Sequence, residues 1–87
     1  MKTLTATEQL ICKRALETLD TVAAGLPQRS LYDQVERLIG MRIDDLERQQ
    51  LTDYMCEREW ICSYTDRLTG NLCLAVRQAG ILAAAAL

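Results

Sequence analysis

Histidine and phenylalanine are both missing from this 87-residue chain, and tryptophan occurs once, at Trp60. Without histidine, the most frequent general base and the most frequent neutral metal ligand are unavailable. Four cysteines remain, Cys12, Cys56, Cys62 and Cys73, but no two form a C-x-x-C pair, so zinc-ligand spacing is lacking. Each falls on or beside an apolar stripe, which reads as reduced, buried thiols rather than as disulfides or a metal site. No Gly-rich phosphate loop is present, and no Ser or Cys stands beside an evident base. The composition therefore speaks against catalysis and implies no cofactor. With no Phe, aliphatic side chains must carry most of the packing.

Long apolar runs are lacking too. The longest, Ile81 to Leu87, is far short of the roughly 20 residues that cross a bilayer. Met1-Lys2-Thr3 leads into polar residues with no apolar core of a signal peptide. A cytoplasmic protein with no membrane partner is the expectation, as one domain over residues 1–87. A basic surplus is also missing. The net charge is −2, which weighs mildly against a polyanionic partner. The acidity is local: Arg42, Arg48 and Arg58 face Asp44, Asp45, Glu47, Asp53, Glu57 and Glu59 within residues 42–59.

What is present is a series of helix signals. Thr5-x-x-Glu8 is a capping-box pattern, followed by Ile11, Ala15, Leu19, Val22 and Ala23 at helical spacing. Gly25 is placed to end that helix, and Leu26-Pro27 to turn the chain. A second helix is expected after Ser30-x-x-Asp33, with Leu31, Val35, Leu38 and Ile39 as its apolar face and Gly40 as its stop. After a brief link at residues 41–43, Asp44-x-x-Glu47 starts a third helix from about Asp45 to Arg58, with Leu46, Leu51, Tyr54 and Met55 apolar. Two helices joined by about four residues including a glycine are what a helix-turn-helix requires.

Beyond Glu59 the hydrophobic period changes from 3.6 to 2. Trp60, Cys62 and Tyr64 alternate with Ile61, Ser63 and Thr65, and Leu72, Leu74 and Val76 with Cys73, Ala75 and Arg77. The turn between them, residues 66–71, contains Gly70 and Asn71, both tolerant of positive φ, so the pair reads as a β-hairpin. From Gln78 a short terminal helix is expected. Trp60, entering a hairpin beside an apolar helix, reads as core rather than as a stacking platform, and Tyr54 and Tyr64 likewise.

The stretches Arg42-Ile43-Asp44-Asp45-Leu46, Leu51-Thr52-Asp53-Tyr54-Met55 and Trp60-Ile61 resemble the third helix and first wing strand of the winged helix-turn-helix superfamily. Asp66 to Gly70 resembles a wing tip, and Val76-Arg77-Gln78-Ala79-Gly80 the exit into a last helix, with Val76 where Thr is usual. Short winged-helix proteins of Mu-like phages and prophages are similar. The resemblance implies a mainly α fold: a three-helix core, a two-stranded wing and a short C-terminal helix.

It also implies duplex DNA as partner, with the third helix in the major groove. Gln49, Gln50 and Thr52 would then meet bases, as would Arg48, since Gln can bond adenine bidentately and Arg guanine. Arg42 and Arg58 would meet phosphates, and the wing residue Arg67, with Thr69 and Asn71, would meet phosphates or the minor groove. The six local carboxylates leave a second possibility open, a protein-interaction module binding a basic protein surface through Asp44, Glu47, Asp53 and Glu57. An inhibitor of a host nucleic-acid-binding complex would be of this kind. The Ile81–Leu87 segment either packs on the first helix or pairs with its copy in a homodimer.

Overall fold

A computed structural model describes residues 3–87. Helix α1, Ala6–Asp20, begins with the expected reciprocal cap. The Glu8 amide donates to Thr5 Oγ1 at 3.1 Å, and the Thr5 amide to Glu8 Oε1 at 3.0 Å. Its buried stripe is Ile11, Cys12, Ala15, Leu16 and Leu19. The helix stops earlier than the apolar pattern suggests, so Val22 and Ala23 lie beyond it. Thr18 and Thr21 donate their hydroxyls to the carbonyls of Arg14 and Thr18, local bonds that compete with continued helix.

Gly25 is accordingly not a helix cap. It sits at φ +87°, where a Cβ would lie 2.5 Å from the Leu74 carbonyl oxygen, so only glycine admits this approach of the chain to the sheet. Leu26-Pro27 does not simply turn. It forms a two-residue strand β1 whose residues pair antiparallel with Leu74 and Cys73. The sheet thus has three strands rather than the two of a bare wing, in the order β1-β3-β2. Pro27 lacks an N–H to give a ladder, and it occupies an edge strand, where that lack is tolerated.

Helix α2, Gln28–Ile39, starts two residues before the expected Ser30 cap. Pro27 occupies the cap position without a side-chain hydrogen bond, and Ser30 falls inside the first turn. The buried residues are Leu31, Tyr32 and Val35, whereas Leu38 is 62% exposed. Gly40 ends the helix in the left-handed conformation, as its position predicts. Helix α3, Asp45–Glu57, opens on Asp44, whose Oδ1 accepts from the Glu47 amide at 2.7 Å. Leu51, Thr52 and Met55 face inward, and Leu46 stands 68% exposed, contrary to its reading as a core position.

Strands β2, Ile61–Thr65, and β3, Leu72–Val76, pair antiparallel from Ile61↔Val76 to Thr65↔Leu72. The alternation expected near Trp60 is therefore real strand. Ile61 and Leu74 are its core anchors, while Tyr64 is exposed rather than core and donates its hydroxyl to the Ala24 carbonyl. Trp60 itself is half-buried, edge-on to Tyr54 with centroids 5.7 Å apart.

Helix α4, Gln78–Ala86, lies on α1, burying Gly80 and Ala84. A Cβ on Gly80 would come within 2.2 Å of the Trp60 carbonyl oxygen, which already accepts from the Arg77 amide at 2.8 Å. Lys13 Nζ donates to the Leu87 carbonyl oxygen at 3.1 Å, tying the far end of α4 to α1. Among the described residues no disulfide joins the cysteines. Cys12 and Cys73 are buried, Cys56 is half-buried, and Cys62 departs from expectation by being exposed. Among the described residues no helix is long and apolar enough to cross a membrane.

Candidate nucleic-acid interface

The α2–turn–α3 unit is held by a polar lock built on Arg48. Its Nε donates to the Ile43 carbonyl oxygen at 2.8 Å, and its terminal nitrogen lies 3.1 Å from both Asp33 Oδ1 and Glu36 Oε2. The guanidinium also stands 5.7 Å from the Tyr32 ring centroid. Glu36 Oε2 accepts a further bond, from the Ile43 amide at 2.6 Å. That amide, together with Arg48, holds the Glu36 carboxyl below the ordinary carboxylate range. One turn deeper, Tyr32 Oη and Thr52 Oγ1 lie 2.8 Å apart, and Gln28 Nε2 donates to the same Thr52 oxygen at 3.1 Å. Burial pushes the Tyr32 hydroxyl well above its usual pKa.

Two residues expected to read bases are thereby placed elsewhere. Thr52 is 3% exposed and belongs to the interior. The Arg48 side chain is only 14% exposed and turned toward α2. A helical periodicity explains both: Arg48, Leu51, Thr52 and Met55 recur at i, i+3, i+4 and i+7, one inward stripe. That spacing was available in the sequence.

The outward side of α3 carries Gln49, Gln50, Asp53 and Glu57, all exposed. Gln49 Nε2 donates to Asp53 Oδ1 at 2.9 Å. Of the four carboxylates weighed for a protein partner, Asp44 is engaged as the helix cap, Asp53 holds Gln49, Glu47 is half-exposed and Glu57 exposed. Arg58 lies at the far end of α3, its guanidinium 4.7 Å from the Tyr54 ring centroid.

Arg42 is exposed in the α2–α3 turn, and Arg67, Thr69 and Asn71 are exposed at the wing tip. That tip is shaped by local bonds. Asp66 Oδ1 accepts from the Leu68 amide at 2.8 Å, the Gly70 amide donates to the Asp66 carbonyl at 2.8 Å, and the Asn71 amide donates to Thr69 Oγ1 at 3.3 Å.

Sequence reasoning missed Arg29 and Ser30, which are exposed in the first turn of α2. They were hidden by the expected cap at Ser30. An open polar concavity of about 1000 Å³ runs from Gln28 and Arg29 past Arg42 to Gln49, and Asp33, Glu36, Asp44 and Asp45 line it as well. A second, of about 350 Å³, is lined by Gln28, Arg29, Ser30, Asn71 and Leu72. Sharing Gln28 and Arg29, the two form one surface from α3 across the start of α2 to the wing. Among the described residues, Arg29 and Arg42 on this surface and Arg67 at the wing tip are exposed and make no ion pair.

No family model matches the chain, and no curated protein matches it either. Solved structures do. The transcriptional regulator PcaV from Streptomyces coelicolor, in complex with its natural ligand, superposes with a TM-score of 0.69 over 94% of this chain and 51% of that one, at 18% identity. A probable transcriptional regulator from Pseudomonas aeruginosa superposes with a TM-score of 0.62 over 95% of this chain and 55% of its own, at 25% identity. The chain spans about half the length of these structures. With helix, strand, helix, turn, helix and hairpin in this order, the chain has the winged helix-turn-helix fold.

Proposed function

We propose that the chain is a small DNA-binding regulatory protein that lays α3 in the major groove and sets its wing against the adjacent backbone. The observation that carries this reading is the continuous surface joining Gln49, Arg42, Arg29 and Asn71, with Arg29 and Arg42 exposed and making no ion pair on it and Arg67 exposed in the wing turn that leads to Asn71. Cations that make no internal pair can neutralise phosphates at little cost in lost interactions. The likeness to transcriptional regulators supports the same reading.

Helix α4 covers α1 with one face and leaves Ile81 and Leu82 on the other, 42% and 67% exposed. A homodimer through that outer face would address two half-sites about one helical turn apart. Sedimentation with and without duplex measures the stoichiometry.

The test is retention of duplex DNA at about 50 mM salt and its loss as salt rises. Arg29→Ala, Arg42→Ala and Arg67→Ala should each weaken binding to all sequences alike and flatten the salt dependence by about one unit of slope. Absence of retention at low salt removes the proposal. Capture of a basic protein, abolished by Asp53 and Glu57 charge reversal, would favour the protein-binding alternative.

A further inference from the structure

Helix α3 brings few kinds of group to a base edge. Leu46, Gln49, Gln50, Asp53 and Glu57 return to one side of the helix and are all exposed. No lysine occurs in Asp45–Glu57, and the one arginine, Arg48, is bound inward to Ile43, Asp33 and Glu36. Arg58 lies beyond the helix and stacks on Tyr54. Guanine presents two acceptors, O6 and N7, in the major groove and is read chiefly by an Arg or Lys donor. This face has none to offer. Its carboxylates, Asp53 and Glu57, are acceptors only: they repel guanine's acceptor edge, and within a G·C pair they complement cytosine N4–H₂ alone.

What its two amides and its leucine offer matches the A·T pair. A glutamine amide gives a donor to adenine N7 and an acceptor to adenine N6–H₂. Gln49 spends one N–H on Asp53, which fixes the amide and leaves its second N–H and its oxygen available. Gln50 carries a second such amide, and Leu46, 68% exposed, is apolar surface of the kind that packs on a thymine methyl. We infer that α3 reads A·T pairs through Gln49, Gln50 and Leu46 and does not read guanine. This rests on the proposed binding of duplex DNA and names the sequence class that the binding selects.

The experiment selects the full chain's preferred duplexes from a randomised pool at low salt, then probes one of them with modified bases. At an enriched adenine, 7-deazaadenine removes the N7 acceptor, and at an enriched thymine, uracil removes the methyl group. Wild-type affinity should fall by roughly 5- to 150-fold on replacing such an A·T pair by G·C. It should also fall on 7-deazaadenine substitution. The Gln49→Ala/Gln50→Ala variant should be indifferent to 7-deazaadenine, and Leu46→Ala to uracil. All three side chains are exposed, and circular dichroism checks that the variants remain folded. Enrichment of guanine, with affinity lost on 7-deazaguanine, overturns the inference, as does equal retention of every duplex, which would leave DNA binding itself standing. Retention of no duplex removes both.

Discussion

Thr52 shows how one hydroxyl can be assigned to the wrong side of a helix. On α3 it looks like a polar residue available to a ligand, yet it accepts from Gln28 and shares a hydrogen bond with the buried Tyr32 hydroxyl. Thr52→Val keeps the shape and removes the partner of a side chain with no solvent to replace it. A loss of about 1–3 kcal/mol in urea denaturation is expected, the cost of an unsatisfied buried polar group. A surface threonine would lose almost nothing, so the size of the change separates the two placements. Arg48 carries the same lesson at larger scale, since its position on the stripe of Leu51 and Met55 marked it as inward. A charged residue on an apolar stripe reads as a surface group only until its partners, Asp33 and Glu36, are known to lie on the neighbouring helix. Those partners are 15 and 12 positions away, too distant for local pattern to reveal.

Among the elements, the helix-turn-helix depends on Glu36, which joins the turn amide of Ile43 to the Arg48 guanidinium. Because its carboxyl is held below its ordinary range in the folded state, Glu36 contributes stability above the unfolded carboxylate pKa, near 4.3, and that contribution is lost as pH falls through the depressed folded value. Glu36→Gln should therefore be less stable near neutrality, yet lose less on acidification below about pH 4.5 than the parent chain. Urea midpoints measured across that range test the sign.

Helix α4 makes a different demand. Gly80→Ala would normally add helix propensity worth up to about 1 kcal/mol. Here the added methyl meets the Trp60 carbonyl, and overpacking of this kind costs about 1–3 kcal/mol. The variant should melt at lower temperature and expose the α4 segment to protease.

For the whole molecule, a net charge of −2 means that the proposed attraction to duplex DNA would come from a few placed cations and not from the chain at large. With Arg29, Arg42 and Arg67 as the phosphate contacts, the logarithm of affinity should fall with the logarithm of salt at a slope of about −2.7 per chain, three contacts at roughly 0.9 each. A much steeper slope would require cations outside this surface. The fold was legible because its signals were local: a capping box at Thr5, glycine at Gly40, and a change of period near Trp60. The strand at Leu26-Pro27 was not, since two residues carry no periodicity and pair only through β3, more than 40 positions later. The candidate surface was half legible for the same reason. Wing and turn residues are exposed wherever the chain folds back, whereas the start of α2 came into view only once β1 had fixed it.

Trp60 stands where α3 ends, the wing begins and α4 docks, edge-on to Tyr54 and with its carbonyl held by the Arg77 amide. As it is the chain's only indole, its emission comes from this junction alone. The protein therefore carries its own optical gauge: a ligand that shifts α3 against the wing should change the colour or yield of that light, with no label attached.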